Sequence, residues 1–338
     1  MAGKSGRTIS IEQPKSWKSA VFSWEGILVI LFVIVNVFCM FLSPNYKATN
    51  VLREMPKYLA EIFIMFPMAY VLIMGEIDIS VGAIVCLSAT LSCMASNAGL
   101  PLPAVILLCL ITGTVCGMVN GLVLTKFQEL PPMIVTLATQ IIFRGIAEVA
   151  LGSGGSVSLK DTKGFRVLAG KIGPIPYTFI LVLIAAVIFI IILSKTIFGR
   201  KLYAIGSNRV TAHYSGIPVQ KTRFIVYTTA GLMSGVCALF LTSVLYGANT
   251  TTGSGFEMDV IAMAVFGGIS TAGGKGKLSG ALISAFIIIC LRIGLGLINM
   301  NPQVILIILG ALLIIAVLLP NIVGMLNDIK RKKVLSGK

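Results

Sequence analysis

The chain has 338 residues, of which 57% are hydrophobic and 12% charged, with a formal net charge of +15 and a mean hydropathy of +0.98. A water-soluble domain carries about 25% charged residues, so most of this chain does not face water. The positive balance does not mark a nucleic-acid binder, because no basic run is interleaved with aromatic residues. On a membrane chain, positive charge gathers on cytoplasmic loops.

A helix needs about 20 apolar residues to cross the hydrocarbon core, so the hydrophobic content supplies about nine or ten crossings. In chain order the predicted spans are 24–43, 58–74, 80–97, 103–124, 132–151, 177–194, 224–246, 258–272, 278–298 and 303–320. The eighth is short, which predicts a tilted or broken element. The basic start (Lys4, Arg7, Lys15, Lys18) before the apolar run Gly26–Leu42 resembles a signal peptide. That run is too long for a signal core and leads into Ser43-Pro44-Asn45-Tyr46 without a cleavage site, so it reads as an uncleaved first span. Ten spans put both termini on one side. With that side cytoplasmic, inner segments carry 18 Lys and Arg and outer loops 7. The organisation is an all-α, polytopic membrane protein: a cytoplasmic segment 1–23, a transmembrane domain 24–320 and a basic cytoplasmic tail 321–338.

Two connections are long. Residues 152–176 lie outside and are rich in Gly, Ser and Lys; residues 195–223 lie inside. Within the latter, Asn208 is placed to cap a short helix, Gly216 to end it in the left-handed conformation, Ile217 to make the accompanying apolar contact, and Pro218 to stop it. Such a helix is too short and polar to cross the bilayer and should lie along the cytoplasmic surface.

Catalytic motifs are missing from the sequence. Gly267–Leu278 lacks the glycine spacing and the Ser or Thr of a phosphate-binding loop. His213 is the only histidine, which removes zinc-protease and serine-triad arrangements. The seven cysteines, all within apolar stretches and without a CxxC pair, read as small buried hydrophobes. No cofactor or metal is expected.

Ionisable residues at or within spans are Glu61, Glu76, Asp78, Arg144, Glu148, Glu257, Asp259 and Arg292. Each costs at least about 2.5–3.5 kcal/mol at the bilayer centre, so each needs a partner, a polar cavity or the interface. Glu76-Ile77-Asp78-Ile79-Ser80 interrupts two spans between Gly75 and Gly82, either as a polar element lining a pathway or as a tight turn with Asp78 and Ser80 capping the next helix. Arg144 and Glu148 share a helix face, as an ion pair between helices or as solute contacts. Glu257 and Asp259 shape an outer mouth or are simply solvated. Small-residue patches such as Thr112-Gly113-Thr114 and Gly231–Gly235 permit close helix packing.

Four stretches resemble the permease family of bacterial ABC importers for ribose, xylose and related sugars, a family that also handles a furanosyl autoinducer. They are Met74–Gly82 (MGEIDISVG), Pro131–Gly145 (PPMIVTLATQIIFRG), Gly199–Ile217 (GRKLYAIGSNRVTAHYSGI) and Gly253–Gly276 (GSGFEMDVIAMAVFGGISTAGGKG). The resemblance implies a permease of the bacterial cytoplasmic membrane, without a catalytic site, importing a monosaccharide or sugar-like solute. It implies a second permease subunit, the same or similar, a cytoplasmic ATPase with two nucleotide-binding halves, and an extracytoplasmic sugar-binding protein. It makes Gly199–Ile217 the ATPase-coupling segment, with Gly199, Arg200, Ala204, Gly206, Asn208, Ala212, Ser215, Gly216 and Ile217 as candidates. It makes the stretches around Asp78 and from Pro131 to Arg144 the translocation core. A neutral solute needs hydroxyl, amide and carboxylate partners, so Glu76, Asp78, Ser80, Asn120, Thr136, Thr139, Gln140 and Arg144 are the pathway candidates. The family usually has Gly at the positions of Glu76 and Ala138 and Ala at that of His213; the added Glu76 charge points toward a different polyol or a modified sugar. The alternative is an ion-coupled secondary transporter built on Glu61, Asp78, Glu148 and Arg292.

Overall fold

The computed structural model describes residues 23–301, 303–311 and 314. Helices dominate: α1 (Trp24–Leu42), α2 (Ala48–Glu54), α3 (Pro56–Ile73), α4 (Val81–Asn97), α5 (Leu102–Lys126) and α6 (Pro132–Leu151) come first. A folded connection follows: β1 (Ser156–Ser158), α7 (Lys163–Leu168), β2 (Lys171–Ile172) and β3 (Ile175–Pro176). Then come α8 (Tyr177–Lys195), α9 (Ile197–Ser207), α10 (Arg209–Tyr214), α11 (Val219–Leu245), β4 (Gly247–Asn249), α12 (Phe256–Phe266) and α13 (Leu278–Gly296). Residues 303–311 are helical. Seven described helices are long and apolar enough to cross a membrane, and α4 is a shorter apolar helix. The chain is thus an all-helical, polytopic membrane protein. The basic ends and most of span 303–320 lie outside the described residues.

Burial sorts the helices. Glu61 apart, α3 is apolar on every side from Leu59 to Ile73; every residue of that stretch is buried, and it forms the centre. α1, α5, α6 and α8 keep most of their apolar surface exposed, as helices bordering lipid do. Tyr70 of α3 satisfies its hydroxyl on the Phe189 carbonyl of α8, at 2.6 Å, because no water is present at that depth to do so.

α5 and α11 meet backbone to backbone. A Cβ placed on Gly117 would lie 2.4 Å from the Tyr227 carbonyl oxygen, and one on Gly231 would lie 2.2 Å from that of Gly113. Any side chain there would force the helices apart.

The predicted eighth span is an 11-residue helix, α12, long enough for about half of the hydrocarbon core. It is preceded by an irregular segment, 250–255, packed against the start of α4, and followed by the glycine-rich loop 267–277. Connection 152–176 is folded onto the bundle: β1 pairs antiparallel with β4, β2 with β3, and Phe165 is buried.

Candidate functional site

α3 ends at Gly75, whose φ of +76° lets the Glu76 amide return to the Val71 carbonyl at 3.1 Å. The chain then runs irregularly to α4 with Glu76, Asp78 and Ser80 all buried. Asp78 accepts from the Ser80 amide at 2.9 Å and from its hydroxyl at 2.7 Å. Ser80 stands at the N-cap of α4 without a side-chain cap hydrogen bond; its hydroxyl is committed to Asp78, which accepts from the Ser80 amide rather than from the first turn of the helix. Asn120 of α5 donates to Ser80 Oγ at 2.7 Å. From α6, Thr136 Oγ1 accepts from the Ile79 amide at 3.2 Å, and Thr139 donates to the Thr136 carbonyl. Asp78, Ser80, Asn120, Thr136 and Thr139 therefore form one buried polar network around an irregular backbone.

Thr136, Gln140 and Arg144 are four residues apart and lie along one face of α6. Gln140 donates to Glu257 Oε1 at 3.4 Å. Arg144 Nη1 donates to the Thr250 carbonyl at 2.6 Å and to that of Thr252 at 3.4 Å. It does so instead of pairing with Glu148, which is exposed. The stripe on α6 thus follows a seam between loop 76–82 and segment 250–257. The seam is close: a Cβ on Gly82 would lie 2.3 Å from the Gly253 carbonyl oxygen and would press on Glu257. Asn120 Oδ1, Arg144 Nη2 and Glu257 Oε2 are buried without a hydrogen-bond partner among the described residues. A donor and two acceptors thus stand unpaired along the seam.

Glu76 lies apart from that network in its contacts. Its carboxylate takes Arg223 Nε at 2.8 and 2.9 Å on its two oxygens, Arg209 Nη1 at 3.2 Å, and the Tyr227 hydroxyl at 3.0 Å. Arg223 also donates to the Leu124 carbonyl at 2.6 Å. Burial pulls the Arg209 guanidinium below its ordinary pKa, and the Arg223 charge acts in the same direction. Sequence reading counted Arg209 and Arg223 only as loop charges; nothing local marks them as partners of Glu76.

The surface segment contains two helices where one was expected. α9 is clamped onto the end of α3: a Cβ on Gly206 would lie 1.8 Å from the Ile73 carbonyl oxygen, which accepts from the Gly274 amide at 2.8 Å. Tyr203 donates to the Gly276 carbonyl at 2.7 Å. Gly199 is buried against the end of α8, Ala204 is half-buried and Arg200 is exposed. In α10, Asn208 accepts from the Thr211 amide at 2.9 Å. Gly216 has φ +80°, and the Ile217 amide closes on the Ala212 carbonyl at 3.1 Å. Ala212 is buried and Ile217 half-buried, whereas Ser215, Val210 and Tyr214 are exposed.

At the opposite end, Arg292 of α13 lies 2.6 Å from Asp259 of α12 and 3.5 Å from Glu61 of α3. These three line a cavity of about 730 Å³ together with Tyr58, Asn299 and Asn301. Among the described residues no cluster of three or more His, Cys, Asp or Glu could hold a metal.

Residues 58–317 match the family model described as branched-chain amino acid transport system / permease component. The chain is 37% identical over 294 residues to the ribose import permease protein RbsC of Bacillus subtilis, covering 86% of this chain and 90% of that one. It is 31% identical over 303 residues to the autoinducer 2 import system permease protein LsrD of Escherichia coli, covering 88% and 91%, and 29% identical to that of Salmonella typhimurium over the same length. No solved structure matches the chain.

Proposed function

The chain belongs to this family of importer permease components, and on that premise we propose that it carries a sugar or sugar-like solute inward along the seam between α6, loop 76–82 and segment 250–257. As an ABC importer permease it is a multi-pass protein of the inner membrane, hydrolyses no ATP itself, and works with a separate ATPase and a substrate-binding partner. We infer further that the ATPase has two nucleotide-binding halves and docks on the cytoplasmic face of α9 and α10. The exposed Val210 and Tyr214, one helical turn apart, offer it an apolar grip. The binding protein docks at the opposite end, on connection 152–176, and a second permease subunit completes the cavity.

The observation that carries the solute class is the set of buried, unpaired polar atoms along the seam. Arg144 Nη2 donates, and Asn120 Oδ1 and Glu257 Oε2 accept. A polyhydroxylated neutral solute matches them, since each hydroxyl both donates and accepts. ATP enters through the ATPase's unequal affinity for two permease conformations. The test is uptake of labelled ribose and of labelled autoinducer 2 into vesicles containing the full complex. Uptake should require ATP and the ATPase subunit, and should survive collapse of the ion gradient. Uptake that follows the gradient and ignores the ATPase would establish the ion-coupled alternative.

A further inference from the structure

We propose that the Glu76–Arg209 ion pair is the linkage that carries movement of the surface helix α10 to the buried loop 77–80; this rests on the ATPase-coupled reading above. The carboxylate belongs to the irregular segment itself, two residues from Asp78, whose network reaches Ser80 and Asn120. Its partners belong to other elements: Arg209 to α10 and Arg223 and Tyr227 to α11.

The two arginines are not equivalent. Arg223 has a side chain 1% exposed and is held at its other end by the Leu124 carbonyl, so it fixes Glu76 to the α5–α11 pair. The Arg209 side chain is 38% exposed and rides on a six-residue helix on the surface. When α10 moves, Arg209 moves with it, and Glu76 is the buried acceptor it pulls on.

The cluster holds two guanidinium groups for one carboxylate. Nη2 of both Arg209 and Arg223 is buried without a hydrogen-bond partner among the described residues. A pair built only to hold helices together would leave no such spare donors. Here they allow Glu76 to exchange one nitrogen for another as the two arginines shift, so that the carboxylate stays neutralised in a second arrangement.

The experiment is hydrogen exchange on the chain in nanodiscs, bound to its cognate ATPase, with and without ATP and vanadate. It reads peptides covering residues 75–82 and 209–217. In the parent complex both regions should change exchange on adding nucleotide. Arg209→Gln should keep the change at 209–217 and lose it at 75–82, and Arg209→Lys, which retains the charge, should restore it. Glu76→Gln should reproduce the loss; if that buried variant fails to assemble, the partly exposed Arg209 position still decides. A parental response at 75–82 in Arg209→Gln overturns the linkage. So does a parent that responds at 209–217 alone, which leaves the ATPase-coupled reading intact. A parent responding at neither segment overturns that reading as well.

Discussion

Two buried glutamates, Glu76 and Glu61, are each held by arginine near opposite ends of the bundle, and their surroundings differ. Glu76 has both oxygens engaged by three partners at 2.8–3.2 Å, and its principal arginine is 1% exposed. Glu61 meets Arg292 at 3.5 Å, while Arg292 makes its closer contact, at 2.6 Å, with the partly exposed Asp259 beside a cavity. The first cluster is closely bonded around a buried carboxylate and a buried guanidinium; the second borders a cavity of about 730 Å³. Removing one ion from a pair strands the other, and the cost depends on whether water can replace it.

That contrast orders the predictions. Arg223→Ala takes the buried cation from Glu76, leaving it only Arg209 and the Tyr227 hydroxyl, frees the Leu124 carbonyl and opens a space; it should cost about 3–5 kcal/mol, read as the largest fall in thermal midpoint of the purified protein in nanodiscs. Arg292→Ala should cost less, about 1.5–3 kcal/mol, because Asp259 can hydrate from the cavity. If Arg292→Ala proves the more damaging, the contrast between the closely bonded cluster and the one beside the cavity is wrong. Asn120→Ala, which removes one neutral hydrogen bond to Ser80 in the separate Asp78 network, should cost about 0.5–1.5 kcal/mol in the same assay. A still smaller effect is expected where charges lie in solvent. Glu54 is held below the usual carboxylate range by the hydrogen bond from Lys57, with Arg53 adding to it. A carboxyl depressed on folding contributes stability at neutral pH and loses it as pH falls through the acid range. Glu54→Gln should therefore flatten the acid side of the stability profile slightly, within the 0 to ~1 kcal/mol of surface pairs.

How much of this the sequence reveals depends on range. The caps of α10 were legible because Asn208, Gly216 and Ile217 act on neighbours within a few residues. The shortness of α12 was legible as an apolar run that ended early. The interrupted backbone at Glu76–Ser80 was legible because polar residues alternate between two glycines. The partners of Glu76 were not, since Arg209 and Arg223 stand 133 and 147 positions away. Only the packing of α3, α10 and α11 brings them together. α9 was missed for a related reason: its place is fixed by Gly206 meeting the end of α3, a fit between backbones that no periodicity signals. For Arg144 the helical spacing gives only a face shared with Glu148, and the tertiary fold decides what meets it there, the carbonyl oxygens of Thr250 and Thr252.

At Gly113, Gly117 and Gly231 there is nothing soft between α5 and α11 that could compress or reorient. The two must travel as one beam, about 40 Å long for the 27 residues of α11 at 1.5 Å each. This beam begins at Val219, immediately beyond α10, so a tilt applied there reappears at its far end with the opposite sense, like an oar turning in its rowlock. For a stiff beam that pivots between its ends, closing a gap at one end opens one at the other, with no helix needing to bend.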